Sequence, residues 1–238
     1  MKIALLGYGK MGKVIEKIAL ERGHQIVLKK GSDSSFEGLL NADVAIDFSI
    51  PSVAVTNISE CLNNSIPVVC GTTGWLADYE KMVALCNEKN GSFIYGSNFS
   101  LGVNIFFELN SYLAKMMTNL KQYNVSMEEI HHTQKLDAPS GTAISLANGI
   151  IDNSNYTGWL LAEDTTSTQT EQQIPIVAKR IENVPGTHSI YYDSNVDQIE
   201  IKHTAHNREG FALGAVIAAE WLVGKKGVFT MKDVLELT

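Results

Sequence analysis

"KIALLGYGKMGKVIEKIALERG", Lys2 to Gly23, decides the fold class of this chain. "KIALL" is a short apolar run suited to a buried strand, and "GKVIEKIALERG" has the apolar spacing of a helix that Gly23 ends. Between them stands Gly7-x-Gly9-x-x-Gly12. That spacing alone is weak evidence, because glycine is common, but after a strand and at the opening of a helix it has a mechanism. Gly7 allows the tight turn, Gly9 the close approach of a pyrophosphate, and Gly12 close packing of helix on strand. The phosphates then meet a helix N-terminus, whose unpaired N–H groups and dipole favour negative charge.

The pattern continues outward. "HQIVLK", "VAIDFS", "IPVVCG" and "SFIYG" read as further strands, with helices from Pro51 toward Leu62 and from Trp75 to Asn87 between them. Strands separated by helices imply a parallel sheet covered on both faces. After Asn98 the character changes. A long helix ("VNIFFELNSYLAKMM") leads to a strand of alternating polarity ("YNVSMEEIH"), a helix ("APSGTAISLANGII") and a polar loop ("TSTQTEQQ"). Three strands follow, "IPIVAKRI", "THSIYY" and "DQIEIKHTA", with few helices between them, which suggests an antiparallel or mixed sheet. An apolar helix ("GFALGAVIAAEWLVG") and a short closing one ("TMKDVLEL") complete the chain. The fold class is therefore α/β: an N-terminal Rossmann-type parallel-sheet domain plus a second α+β domain. The last helices return to the first domain, so the expected division is residues 1–102 with 208–238 against 103–207. The chain then crosses twice, near "SNFSLG" and near "HNREG", and two crossings can act as a hinge.

Composition narrows the function. The chain has 238 residues, 45% hydrophobic and 19% charged, as expected for a globular protein with a real core. Its formal charge of −7 gives no support for nucleic-acid or membrane-surface binding. Cys61, Cys70 and Cys86 form no CxxC pair and read as buried reduced thiols. "MKIALLG" is too short for a signal-peptide core, and the apolar stretch Phe211–Val223 is broken by Glu220, so the expected location is the cytoplasm.

A dinucleotide site of the NAD type expects an acid roughly 20 residues past the glycines, holding the ribose hydroxyls. Lys29 and Lys30 stand there, followed by Gly31 and Ser32, and the first acid is Asp33. Lysines and a serine suit a 2′-phosphate, which favours NADPH, although NADH stays open. Loops at the carboxyl ends of parallel strands line the ligand crevice. Here these are "DFSIP" (Asp47–Pro51), "GTTG" (Gly71–Gly74) and "GSNFS" (Gly96–Ser100). Asp47 either caps the helix that starts at Pro51 or faces the ligand.

"EIHHTQKLDAPSGTA", Glu129 to Ala143, crowds proton carriers and donors into one stretch. Pro139 and the small hydroxyl residues Ser140 and Thr142 around Gly141 mark a helix start, and its outward N–H groups suit a carboxylate or phosphate. His131 or His132 can exchange a proton near neutral pH, and Lys135 can hold a fixed charge or donate. Zinc is the rival reading. Adjacent histidines on an extended chain point to opposite faces, and no further ligand spacing appears, so no metal is expected.

"GYGKMG" at Gly7, "GTTG" at Gly71, "NFSLGVN" at Asn98 and "HHTQKLDAPSGTA" at His131, in this order over nearly the whole chain, resemble the 4-hydroxy-tetrahydrodipicolinate (dihydrodipicolinate) reductase family. The resemblance implies a dinucleotide-binding domain and a substrate-binding domain that assembles a homotetramer. The implied reaction is NADH- or NADPH-dependent reduction of a cyclic dicarboxylate in lysine and diaminopimelate biosynthesis. By motif position, His131 corresponds to the acid/base and Lys135 to its partner proton donor. His132, Gly141 and Thr142, with Ser140 beside them, correspond to substrate-carboxylate contacts. Cofactor positions fall on Gly7, Tyr8, Gly9, Lys10, Met11 and Gly12, on Gly71, Thr72 and Thr73, and on Gly96, Ser97, Asn98 and Phe99, with Lys29 and Lys30 at the ribose edge. Lys10 replaces the arginine often found in the family's glycine turn, and Lys29-Lys30 replace its acidic-basic pair. The alternatives are another NAD(P)-dependent oxidoreductase of amino-acid metabolism, which would lack the "DAPSGT" run, or a non-catalytic redox sensor. A sensor would need a DNA-reading or partner-binding element.

Overall fold

A computed structural model of the chain describes residues 1–31, 35–164, 172–207 and 209–237. Ser32, Asp33, most of the polar stretch 166–173 and Arg208 lie outside the described residues. In chain order the elements are β1 (Lys2–Leu6), α1 (Lys10–Glu21), β2 (Gln25–Lys30), β3 (Val44–Asp47), α2 (Pro51–Asn63), β4 (Val68–Cys70), α3 (Tyr79–Glu88) and β5 (Ser92–Tyr95). Then come α4 (Leu101–Met117), β6 (Asn124–His131), α5 (Gly141–Ile151), β7 (Gly158–Ala162), β8 (Gln173–Arg180), β9 (Gly186–Asp193) and β10 (Gln198–Ala205). The chain closes with α6 (Glu209–Leu222), β11 (Gly227–Phe229) and α7 (Met231–Val234). It falls into two compact units, Met1–Leu101 with Glu209–Thr238, and Gly102–Arg208.

The first unit is built on a six-stranded sheet in the order β11-β5-β4-β3-β1-β2, every pairing parallel. Side chains alternate across it: Ile3, Leu5, Val44, Ile46, Val69 and Ile94 pack on one face with α1 and α6. Ala4, Leu6, Ala45, Val68, Cys70 and Phe93 pack on the other with α2 and α3. Burial on both faces explains why these strands read as nearly continuous apolar runs. The three cysteines are free and buried, as inert core thiols should be.

The second unit has a mixed five-stranded sheet in the order β10-β9-β6-β8-β7. β6 pairs antiparallel with β9 and parallel with β8, so it is the central strand. One face carries Val125, Met127, Ile174, Ile176, Ile190 and Tyr192 and buries them against α4 and α5.

The structure departs from the sequence reading in four places. β7 and β11 were not expected; one is a half-buried strand and the other only three residues long. Leu76–Asp78 is a 3-10 turn, and the α-helix starts at Tyr79. Trp75 is drawn out of the helix because its indole N–H donates to the Thr72 carbonyl at 2.6 Å. α5 begins at Gly141, after "APS", because the Ser140 hydroxyl caps it by accepting from the Ala143 N–H at 3.2 Å. Finally, Asp47 does not cap α2: the N-cap is Ile50, with no side-chain cap bond.

Candidate active site

In the first unit the glycine turn, the loop after β4 and the loop after β5 gather around Phe48. Gly7 has φ +97°, and a Cβ there would run into the Phe48 carbonyl and Ser49. A Cβ at Gly12 would strike the Gly7 carbonyl, and one at Gly71 the Phe48 ring. The Phe48 and Phe99 rings lie 5.7 Å apart, and Gly96 packs on the Phe99 ring. Gly9 behaves differently. It is the N-cap of α1, no side chain caps the helix, and nothing lies within 4 Å of where its Cβ would stand. Two glycines made obligatory by packing and one facing open space beside bare helix N–H groups match the division of labour that a pyrophosphate needs. The residues present therefore fit a dinucleotide.

Other positions singled out from the sequence have internal partners. Thr72 is buried; its hydroxyl donates to Asp47 at 2.6 Å and accepts from the Ser49 N–H at 2.8 Å. Asn98 Oδ1 accepts from the Ser100 N–H at 2.9 Å, shaping the loop after β5. Thr73, Ser97 and Lys10 are exposed, and Met11 is half-buried. Lys29 pairs with Glu16 at 2.5 Å, and the Lys30 ammonium lies 4.8 Å over the Phe36 ring. Asp47 also accepts from Ser49 Oγ (2.8 Å), Asn57 Nδ2 (2.7 Å) and Cys70 Sγ (3.3 Å).

In the second unit the centre of the site is a residue that sequence reasoning passed over. Glu129 is fully buried, and its carboxylate draws four groups together. His131 Nδ1 lies 3.1 Å from Oε2, and His188 Nε2 lies 3.7 Å from the same oxygen. Arg180 Nη2 and the Ser140 N–H each donate to Oε1 at 3.1 Å. Burial alone would push this carboxyl up. The His131 ring, the Ser140 N–H and the Arg180 guanidinium outweigh burial and hold it down at about 2. Sheet register explains the assembly, since Glu129 pairs across β9 with His188 and His131 pairs across β8 with Arg180. His188 is pushed down to about 4 by burial, with His131 adding to the effect.

Arg180 also holds the loop that follows β6. It donates to the carbonyls of Asp137 at 2.6 Å and Lys135 at 3.3 Å. The Lys135 ammonium is held by both oxygens of Asp137 at 2.8 Å, and the Asp137 side chain is 61% exposed. Ser140 is buried, with its N–H on Glu129 and its hydroxyl 3.1 Å from His188 Nε2. Gly141 opens α5 with nothing within 4 Å of where a side chain would stand, and Thr142 and His132 are half-buried. Glu129, His131 and His188 each offer a ligand atom within 4.8 Å of the others, a set that could grip a metal ion. The Arg180 guanidinium already neutralises the shared carboxylate, which works against a divalent cation there.

A parallel-sheet unit with this glycine turn and a second unit carrying histidines and an arginine on a buried carboxylate together define a two-domain nicotinamide-dependent oxidoreductase. Residues 1–99 match the family model for the N-terminus of dihydrodipicolinate reductase, and residues 102–235 match the one for its C-terminus. The chain belongs to the dihydrodipicolinate reductase family. It is 58% identical, over 99% of its length and 98% of the relative's, to a protein of Christiangramia forsetii named 4-hydroxy-tetrahydrodipicolinate reductase. A protein of the same name from Archaeoglobus fulgidus is 35% identical over 99% of this chain and all of the relative. Among solved structures, a dipicolinate-bound dihydrodipicolinate reductase from a Paenisporosarcina species superposes with a TM-score of 0.77 at 22% identity, covering 97% of both chains. That likeness supports the fold. No helix among the described residues is long and apolar enough to cross a membrane.

Proposed function

We propose that the protein reduces 4-hydroxy-tetrahydrodipicolinate to tetrahydrodipicolinate in lysine and diaminopimelate biosynthesis, working in the cytoplasm as a homotetramer. The first unit holds NADH or NADPH through Gly7–Gly12, Gly71–Thr73 and Gly96–Phe99. The second unit holds the substrate and provides the assembly surface. When bound, the reduced nicotinamide supplies the hydride. The observation that carries the reading is the Glu129 carboxylate 3.1 Å from His131 Nδ1 at the end of β6, next to the start of α5.

Each residue of this chain then has a task. Glu129 favours a proton on His131 Nδ1, which leaves Nε2 as the nitrogen that exchanges protons with the substrate. Lys135 is held by an exposed partner, and a substrate carboxylate can replace Asp137 as its counter-ion. The ammonium then both fixes the dianion and stands ready to donate. The α5 N-terminus at Ser140–Thr142 takes a second carboxylate, with His132 alongside. A protein of net charge −7 needs this local concentration of positive groups to attract a dianion at all.

The test is Lys135→Ala, assayed by nicotinamide oxidation with substrate generated in situ. Turnover should fall about 100-fold or more, the scale of a lost proton donor. Dinucleotide affinity, measured by direct titration, should stay within about twofold because the cofactor residues lie in the other unit. Unchanged turnover would remove Lys135 from the mechanism.

A further inference from the structure

β2 ends against the glycine turn: the N–H groups of Gly7 and Tyr8 both donate to the Lys30 carbonyl, at 3.0 and 3.1 Å. In dinucleotide folds this edge meets the adenosine ribose, where an acid takes the 2′-hydroxyl and a cation takes a 2′-phosphate. Lysines there would favour the phosphate only if their charge were available. Lys29 has a partner already. Glu16, midway along α1, reaches across to β2 and lies 2.5 Å from the Lys29 ammonium. The other Glu16 oxygen accepts from the hydroxyl of Tyr8, itself a member of the glycine turn. Lys29 Nζ lies 5.3 Å from the centre of the Tyr8 ring, so the three side chains form one closed group. Glu16 is the more enclosed member of the ion pair, at 17% side-chain exposure against 45% for Lys29. Lys29 and then Tyr8 hold the Glu16 carboxyl below the usual carboxylate range, so it is ionised at neutral pH. Lys30 offers no substitute, being 9% exposed and seated over Phe36.

We infer that Glu16 sets the nucleotide preference of this protein toward NADH, by neutralising Lys29 and presenting a carboxylate at the ribose edge. The inference rests on the proposed role of the first unit as the dinucleotide-binding unit. The ribose hydroxyls of NADH are donors and can bond to a carboxylate that still has lone pairs to offer. A 2′-phosphate carries close to two negative charges, has no donor for Glu16, and would have to draw Lys29 away from its partner. Specificity of this kind comes from a repulsive element against the wrong ligand as much as from attraction to the right one. The lysines at the end of β2 therefore do not decide the preference: the deciding charge sits on α1, thirteen residues before the lysine it cancels.

Glu16→Gln tests this, because glutamine preserves volume and can still accept from Tyr8 while losing the charge. NADH and NADPH are titrated separately onto the full-length protein by calorimetry, with circular dichroism to confirm folding. The wild-type protein should bind NADH more tightly. In Glu16→Gln the Kd ratio should move toward NADPH by about tenfold, mostly through tighter NADPH binding, the scale of one charge-assisted hydrogen bond. Adding Lys29→Gln should cancel that gain, since the liberated ammonium is its source. If Glu16→Gln does not fold, Lys29→Gln alone decides the matter. Without Lys29 the Glu16 carboxylate stands unneutralised, so the Kd ratio should move about tenfold further toward NADH, and an unmoved ratio would overturn the inference. Tighter NADPH binding by the wild type, or a Kd ratio unmoved in a Glu16→Gln variant that binds both nucleotides, would overturn it while leaving the proposed reaction standing. Failure of the wild type to bind either nucleotide would overturn both.

Discussion

Asp47 and Glu129 are the same kind of object in two different settings. Both carboxyls are fully buried near the carboxyl end of a central strand, Asp47 at the last residue of β3 and Glu129 two residues before the end of β6. Around Asp47 the hydrogen-bond partners are neutral donors: two hydroxyls, an amide and a thiol. Burial pushes its pKa up, and these hydrogen bonds offset only part of that push. Around Glu129 stand an arginine and two histidines, and its pKa is held at about 2. The first arrangement ties the loops after β3 and β4 together through neutral hydrogen bonds. The second stores a charge that orients rings and cations. The buried carboxyl of the first unit is held by neutral bonds, and its counterpart in the unit proposed to move protons is held by charged ones.

The largest effect should come from removing the charge in the second setting. Glu129→Gln leaves the half-buried Arg180 beside a neutral amide, and since breaking a fully buried pair costs about 3–5 kcal/mol, the loss should lie at the lower end of that range. Urea unfolding should show that loss. Turnover should fall at least about 100-fold, because the His131 ring loses the group that sets its protonated nitrogen. A variant with near-normal stability would mean that the Glu129 cluster resembles the Asp47 cluster more than its partners suggest.

Acid titration gives the next largest effect. His188 is pushed from 6.5 down to about 4, so between those values the unfolded chain carries a proton there that the folded chain does not. Stability therefore falls as pH drops from 6.5 to 4. Glu129 extends the loss, since its depressed pKa gives stability above 4.5 that disappears as pH falls toward 2. His188→Gln should flatten the upper part of this curve, worth up to about 3 kcal/mol, and leave the lower part. An unchanged slope between pH 6.5 and 4 would assign the acid sensitivity to other groups.

What could be read in advance follows the same division between the units. The glycine turn, the strands of the first sheet and the "DAPSGT" helix start are local, so spacing alone locates them. Glu129 was legible in principle. In "NVSMEEIH" the apolar Val125 and Met127 mark the buried face, and strand alternation puts Glu129 and His131 on that face while Glu128 points away. The two adjacent glutamates differ only by strand parity, which composition does not register. Arg180 and His188 were not legible, because they reach the site through register with β8 and β9, and nothing local specifies which strands flank β6. The same holds for the Asp47 knot, since Thr72 and Asn57 meet it only once β3, β4 and α2 are placed.

The smallest effect, and the finest test of the comparison, is Asp47→Asn. Asparagine keeps one acceptor oxygen, so the loss at neutral pH should be only about 1 kcal/mol, the net worth of a neutral hydrogen bond. Its pH dependence carries the information. Asp47 has a raised folded pKa, so the folded state holds the proton more readily than the unfolded one. Acidification toward 3.8 therefore relieves the wild-type protein of a buried charge, relief that the asparagine variant has no charge to gain. The stability gap between wild type and Asp47→Asn should widen from pH 7 to pH 4. For Glu129→Gln the gap should narrow as pH falls below 4.5, since the wild type then loses its advantage. Opposite slopes in urea unfolding at matched pH values would establish that two equally buried carboxylates are held by opposite means. Parallel slopes would reduce them to one kind of site.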